Sequence, residues 1–167
     1  MTPGSAALCD DEPMRTEQVP CGDAGSMSLF VWEPEGRPVG SVLLIQEIFG
    51  VGVFVRGVAE RLAAAGYVVG APDVFWRFAP NWEADHSEEG LSSSMAAVQQ
   101  LDFPLATQDC CAALAHLGSI DGVDQAPAVM GYCLGGTLAW AVAGAVRSAS
   151  MPRRSSRVKS RGPGGGG

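Results

Sequence analysis

The 167-residue sequence has no run close to the roughly 20 apolar residues that span a membrane, and no basic start followed by an apolar signal segment. Basic residues are also scarce before position 147. Residues 1–146 contain all 18 acidic residues but only 5 of the 11 basic ones. Because phosphate backbones are bound by clustered Lys and Arg, this acidic body argues against nucleic acid as the main ligand. We expect a cytoplasmic protein that binds a small molecule and no membrane.

Cysteine is sparse as well. The five cysteines are odd in number and follow no C-x-x-C spacing, so they predict neither a disulfide framework nor a metal site. Cys110 and Cys111 are adjacent, but they lie in the helical pattern LATQDCCAALAHL, where small residues pack. We therefore predict reduced thiols, no metal and no cofactor.

Patterns typical of buried strands and of helices alternate along the middle of the chain. They occur in the order strand 28–34, strand 40–46, helix 53–66, strand 66–72, helix 92–117, strand 126–131 and helix 134–146. Continuous apolar runs such as GSVLLIQ are typical of strands that are covered on both faces. The order predicts an α/β fold with a parallel, doubly wound sheet.

Composition divides the chain into three parts. Residues 1–25 are rich in Pro, Gly, Asp and Glu without periodicity, so we expect a loose N-terminal leader, with order beginning near Met27. Residues 26–146 form the domain. Residues 147–167 are basic and Gly-rich with few apolar side chains, which predicts a disordered tail.

Three motifs follow predicted strands, at the sheet edge where ligands of such folds bind. They are QEIFGVG (46–52), the end of AAAGYVVGAPDVFWR (63–77) and GYCLGG (131–136). In this order and spacing they resemble the dienelactone hydrolase (carboxymethylenebutenolidase) family of α/β-hydrolases, over about residues 27–146. GYCLGG resembles the nucleophile elbow, a tight turn from a strand into a helix. The resemblance implies hydrolysis of a small lactone or ester that bears a carboxylate.

The resemblance also implies a role for each matched residue. Cys133 matches the nucleophile, and Glu47 matches the glutamate that contacts the resting thiol and helps to activate it. The backbone N–H groups of Ile48 and Leu134 match the oxyanion hole. Arg77 matches the arginine that binds the substrate carboxylate, and Trp76 would line the pocket. From the residues alone other readings stay open: Glu47 could cap the next helix, Arg77 could pair with a surface acid, and Trp76 could belong to the core.

The sequence departs from the family after the matched nucleophile. In this fold an acid and then a histidine follow the nucleophile, but no Asp, Glu or His follows Cys133, and both histidines, His86 and His116, precede it. We therefore expect a domain that is incomplete at its C-terminal end, truncated or shifted out of frame near Arg147. The alternative function is an inactive fragment that acts at most as a binding or dimerising module and self-associates through the exposed edge of strand 126–131.

Overall fold

The computed structural model describes residues 14–22 and 25–150 of the chain. The described strands form one five-stranded sheet in the spatial order β1-β2-β4-β3-β5, with helices on both faces. The strands are β1 (Met14–Pro20), β2 (Ser26–Trp32), β3 (Gly40–Ile45), β4 (Tyr67–Pro72) and β5 (Ala128–Gly131), and the helices are α1 (Val53–Ala64), α2 (Glu88–Val98), α3 (Phe103–Leu117) and α4 (Leu134–Ser150). The predicted α/β fold class is confirmed.

The central strand β3 fixes the edge at which the site lies. It pairs in parallel with β4 on one side and with β5 on the other, and Ile45 at its end lies opposite Gly131 at the end of β5. Parallel strands point the same way, so the carboxyl ends of β3, β4 and β5 meet at one edge of the sheet. QEIFGVG and GYCLGG begin at the ends of β3 and β5, and AAAGYVVGAPDVFWR runs through β4 and ends beyond it.

Side chains of β3 pack in two hydrophobic cores, one on each face of the sheet. Leu43 and Ile45 pack in the core beneath α3 and α4, whereas Leu44 packs in the core beneath α1. Successive side chains of a strand point to opposite faces, so burial on both faces explains why β3 reads as a continuous apolar run. The doubly wound arrangement is therefore present around β3 and β4.

The predicted loose leader is wrong for residues 14–20, because they form strand β1. This strand pairs antiparallel with β2 from Met14 opposite Trp32 to Pro20 opposite Ser26. Its order comes from backbone pairing and from the burial of Val19, so composition did not indicate it. β2 also pairs antiparallel with β4, which makes the sheet mixed and not parallel throughout. Residues 1–13, 23 and 24 lie outside the described residues.

Two helix boundaries differ from the prediction. The single helical region expected at 92–117 is two helices, because Asp102 caps α3 by accepting a hydrogen bond from Leu105 N (2.9 Å) and Pro104 occupies the first turn. Helix α4 continues to Ser150, past the expected start of the tail at Arg147, and residues 151–167 lie outside the described residues. Among the residues that the structure describes, no helix is both long and apolar enough to cross a membrane.

Strand β5 stands at the edge of the described sheet. Within residues 14–22 and 25–150 its one strand partner is β3, and none of its residues is fully buried. The adjoining helix α4 packs against α3 and β5, yet Trp140 is 81% exposed. The described part of the chain thus presents an open strand edge beside an exposed tryptophan.

Candidate active site

Cys133 lies on the tight turn that joins β5 to α4, as the sequence predicts. Its φ is +51°, in the left-handed region that non-glycine residues seldom adopt, and its side chain is exposed. Gly135 N donates to Tyr132 O (2.8 Å) and Gly136 N donates to Cys133 O (3.0 Å), which closes the turn. Residues held in this region cluster at functional sites, because the surrounding structure must hold them there.

The glycines of the GYCLGG motif allow a close approach between α4 and β3. A Cβ atom added to Gly135 would lie 2.2 Å from Ile45 O and 2.4 Å from Gln46 O. One added to Gly131 would lie 2.2 Å from Gly135 O. No side chain fits at either position, so the first turn of α4 rests directly on the backbone at the end of β3.

Glu47 and Cys133 both follow paired strands that end at this edge of the sheet. Ile45 and Gly131 are register partners, and Glu47 and Cys133 each lie two residues further along the chain. Within the described residues, neither Ile48 N nor Leu134 N has a hydrogen-bond acceptor. These two N–H groups, matched to the oxyanion hole, therefore remain available at that edge.

The Glu47 side chain lines a cavity of about 270 Å³ and contacts His86. Its Oε1 lies 3.1 Å from His86 Nε2, and the His86 ring packs against Phe49 at a centroid distance of 4.2 Å. Phe54, also in the cavity wall, meets Tyr132 edge-on at 5.1 Å, so the cavity adjoins the Cys133 turn. Glu47 does not cap α1, whose N-cap residue is Gly52 without a side-chain bond.

Arg77 and Trp76 converge on Asp109, a residue that the sequence analysis missed. Asp109 is 4% exposed and lies on α3. It accepts bonds from Arg77 Nε and Nη2, both at 2.8 Å, and from Trp76 Nε1 at 2.9 Å. The guanidinium also stacks over the Trp76 ring at 4.4 Å. Arg77 thus pairs with a buried acid, and with Asp109 it lines a smaller cavity of about 80 Å³ that does not include Glu47.

Two buried polar side chains hold the segment that carries Trp76 and Arg77. Gln46 Oε1 accepts from Val74 N (3.1 Å), which ties the end of β3 to the chain after β4. The Asp73 carboxylate accepts from Phe75 N (3.3 Å) and Asn81 N (2.6 Å). Burial raises the pKa of Asp73, and these two backbone bonds partly oppose the rise.

The other described cysteines are in different environments. Burial, with Asp109 nearby, raises the pKa of Cys21 to about 11, and burial raises the pKa of Cys110 further. Cys110 is fully buried on α3, as its interpretation as a packing residue predicts. Within the described residues, no group of three or more His, Cys, Asp and Glu side chains could hold a metal ion.

The sheet with helices on both faces and the strand–turn–helix unit at Cys133 define an α/β-hydrolase fold. The model of the dienelactone hydrolase family matches residues 27–151, and the chain belongs to this family. Carboxymethylenebutenolidase 1 of Cupriavidus pinatubonensis is 32% identical over 120 residues, covering 71% of this chain and 51% of that protein. Carboxymethylenebutenolidase of Rhodococcus opacus is 36% identical over 105 residues, covering 63% and 38%. The chain spans about half the length of these curated relatives, or less.

Solved structures show the same fold. A putative dienelactone hydrolase from Klebsiella pneumoniae superposes with a TM-score of 0.62 at 24% identity, covering 78% of this chain and 54% of the other. An esterase from Pyrobaculum calidifontis superposes with a TM-score of 0.59 at 21% identity, covering 84% and 42%. At these identities the likeness concerns the fold alone.

The close approach of α4 to β3 predicts opposite effects for two glycine substitutions in the same helix. Gly135→Ala should destabilise the protein by about 2 kcal/mol or more, because its Cβ would overlap two carbonyl oxygens. Gly144→Ala should stabilise it by about 0.5–1 kcal/mol, because nothing lies within 4 Å of that Cβ. Urea unfolding of both variants measures the difference, and equal effects would contradict the contact.

The cysteine environments predict an order of alkylation. Iodoacetamide at about pH 8 should modify exposed Cys133 first and half-buried Cys111 more slowly, with buried Cys21 and Cys110 last, because only an accessible thiolate reacts. Mass spectrometry of the digested protein measures the extent of alkylation at each cysteine. The same reaction in urea is the reference, because the unfolded chain buries none of the thiols. Equal native rates at Cys133, Cys111 and Cys110 would contradict an activated site.

Proposed function

We propose that the chain is a carboxylic ester or lactone hydrolase of the dienelactone hydrolase type, with Cys133 as its nucleophile. One observation carries the proposal: an exposed cysteine is held at positive φ at the start of a helix. Its thiolate would lie at the positive end of the α4 dipole, which favours an anion. A cysteine that only packed in the core would need neither the exposure nor the backbone strain.

The proposed chemistry is acyl transfer to sulfur. The Cys133 thiolate attacks the substrate carbonyl, and the N–H groups of Ile48 and Leu134 donate to the oxyanion that forms. Collapse of this intermediate breaks the bond to the ester oxygen, which takes up a proton from water and leaves as the alcohol or, from a lactone, as the opened end of the ring. The product is a thioester on Cys133. Glu47, which follows β3 at the same edge of the sheet, is the group proposed to contact the resting thiol and to help to activate it, and the thiol proton is released to water.

Substrate binding is proposed to involve Arg77 and Trp76. Asp109 already accepts from Nε and Nη2 of Arg77, so a substrate carboxylate would bind this guanidinium as a second anion. The bidentate bond and the stacking on Trp76 restrict the guanidinium before substrate arrives, which reduces the entropy lost on binding. The proposed substrate class, a small lactone or ester with a carboxylate, rests on the family to which the chain belongs.

The second half of the reaction is hydrolysis of the thioester, which needs a base to activate water. Within the described residues no Asp, Glu or His side chain is bonded to Cys133, and the two histidines contact Glu47 and Glu17. We therefore propose that this chain, assayed alone, forms the thioester much faster than it hydrolyses it.

An activated ester tests the nucleophile. p-Nitrophenyl acetate should give a stoichiometric burst of nitrophenolate, an acetyl group on the Cys133 peptide and little further turnover. Cys133→Ala should abolish the burst, whereas Cys111→Ala, which removes a half-buried cysteine on α3, should retain it. A burst that survives Cys133→Ala would reject the proposed nucleophile. Rapid steady turnover by the parent would show that a base is present after all.

A second candidate, a non-catalytic self-associating module, is favoured by the open edge that β5 has within the described residues and by the exposed Trp140 of α4. Apolar open edges recruit other chains. Trp140→Glu should lower the apparent mass in size-exclusion chromatography, because a charge would be buried in the contact. Val39→Glu is the matched control, since Val39 is 61% exposed and its N–H donates to Gly66 O before β4, on the side of β3 away from β5. A parent protein that is a monodisperse monomer would exclude this candidate.

A further inference from the structure

We propose that His86 is a positioning residue for Glu47, which it holds at the cleft beside Cys133. When its imidazole is protonated, it also offsets the negative charge that Glu47 brings near the thiolate. The contact between His86 Nε2 and Glu47 Oε1 at 3.1 Å carries the inference. It rests on the proposed role of Cys133 as nucleophile.

The Glu47 carboxylate depends on His86 for its orientation. Its side chain is only 15% exposed, and His86 is its one side-chain partner among the residues that the structure describes. A carboxylate withdrawn from water needs a partner to remain charged. Without the imidazole, the Glu47 side chain would keep no contact that fixes it toward the cleft.

Backbone contacts hold the segment before His86 against the turn at residues 47–50. Ala84 N donates to Phe49 O (3.1 Å), and Glu83 forms an isolated bridge with Gly50. A Cβ on Gly50 would lie 1.8 Å from Trp82 O, so the two segments are in direct backbone contact. The ring of His86 then packs on Phe49. Residues 82–84 therefore pack against the turn that contains Glu47 and Ile48, and this contact places the imidazole of His86 beside Glu47.

The charged groups around His86 are mostly acidic. Glu47, Glu83 and Asp85 line the cavity with it, and Glu88 and Glu89 begin the adjacent helix α2. Glu83 is paired with Arg56 of α1 (2.7 Å), and Asp85 is bonded to Ser87, which lowers the pKa of Asp85. His86 is thus the cavity-lining side chain able to carry a positive charge to Glu47.

This arrangement predicts a pH-dependent effect on the thiolate. A second negative charge beside Glu47 is opposed by repulsion, and an imidazolium paired with Glu47 reduces that repulsion. Lower pH favours the protonated imidazole, whereas higher pH favours the thiolate. The increase in thiolate formation at Cys133 that His86 causes should therefore be large near pH 6 and small near pH 8.5.

The test is the rate at which neutral iodoacetamide alkylates Cys133 in the full chain. His86→Gln retains an N–H donor without the charge, and His86→Phe retains a ring against Phe49 without the donor. Both should slow alkylation by about threefold or more near pH 6 and leave it nearly unchanged near pH 8.5. A purely structural loss would slow it equally at both pH values and would overturn the proposal.

A double-mutant cycle identifies the route of the effect. In a Glu47→Gln background, His86→Gln should change the rate at neither pH, because the charge that it offsets is absent. His116→Gln is the matched control, since that histidine contacts Glu17 of β1. An undiminished effect of His86→Gln in the Glu47→Gln background would overturn the proposal. If parental Cys133 reacts no faster than Cys111, the proposed nucleophile fails too, whereas a reactive Cys133 that ignores His86 refutes only the role of His86.

Discussion

The site depends on one steric constraint, the direct contact between the first turn of α4 and the carbonyl groups at the end of β3. Gly135 meets Ile45 O and Gln46 O with no room for a side chain. This contact fixes the Cys133 turn against the chain that leads into Glu47 and Ile48. It also places Tyr132 against Phe54 at the start of α1. Two chain segments far apart in sequence, residues 45–54 and residues 132–135, are thereby held together at one edge of the sheet.

The parts of the fold that the sequence predicts are those with strong local patterns. β3 and β4 are buried on both faces and read as apolar runs, and the turn at Cys133 has a local glycine signature. β1 has no such pattern: its residues are mostly polar, and it is ordered by pairing with β2. The break between α2 and α3 was visible in Asp102 and Pro104, but an overall helical composition obscured it.

The contacts that complete the site could not be predicted in the same way. His86 lies 39 residues from Glu47, and Asp109 lies 32 residues from Arg77. Neither partner belongs to a motif. His86 sits in an acidic loop that resembles solvated surface, and Asp109 sits in a helix whose small residues read as packing. Their contacts are determined by how α3 and the chain before α2 fold against the sheet edge, which no local periodicity encodes.

The left-handed backbone at Cys133 has a consequence for how substitutions at this position would be tolerated. Holding a residue with a Cβ at φ +51° costs roughly 1 kcal/mol that glycine avoids and asparagine reduces. Selection for stability alone would therefore replace this cysteine, and selection for a reactive thiol would retain it against that pressure. With the role proposed for Cys133, folding and chemistry have opposed requirements at this position, so a stabilised variant obtained without an activity screen would tend to lose the thiol.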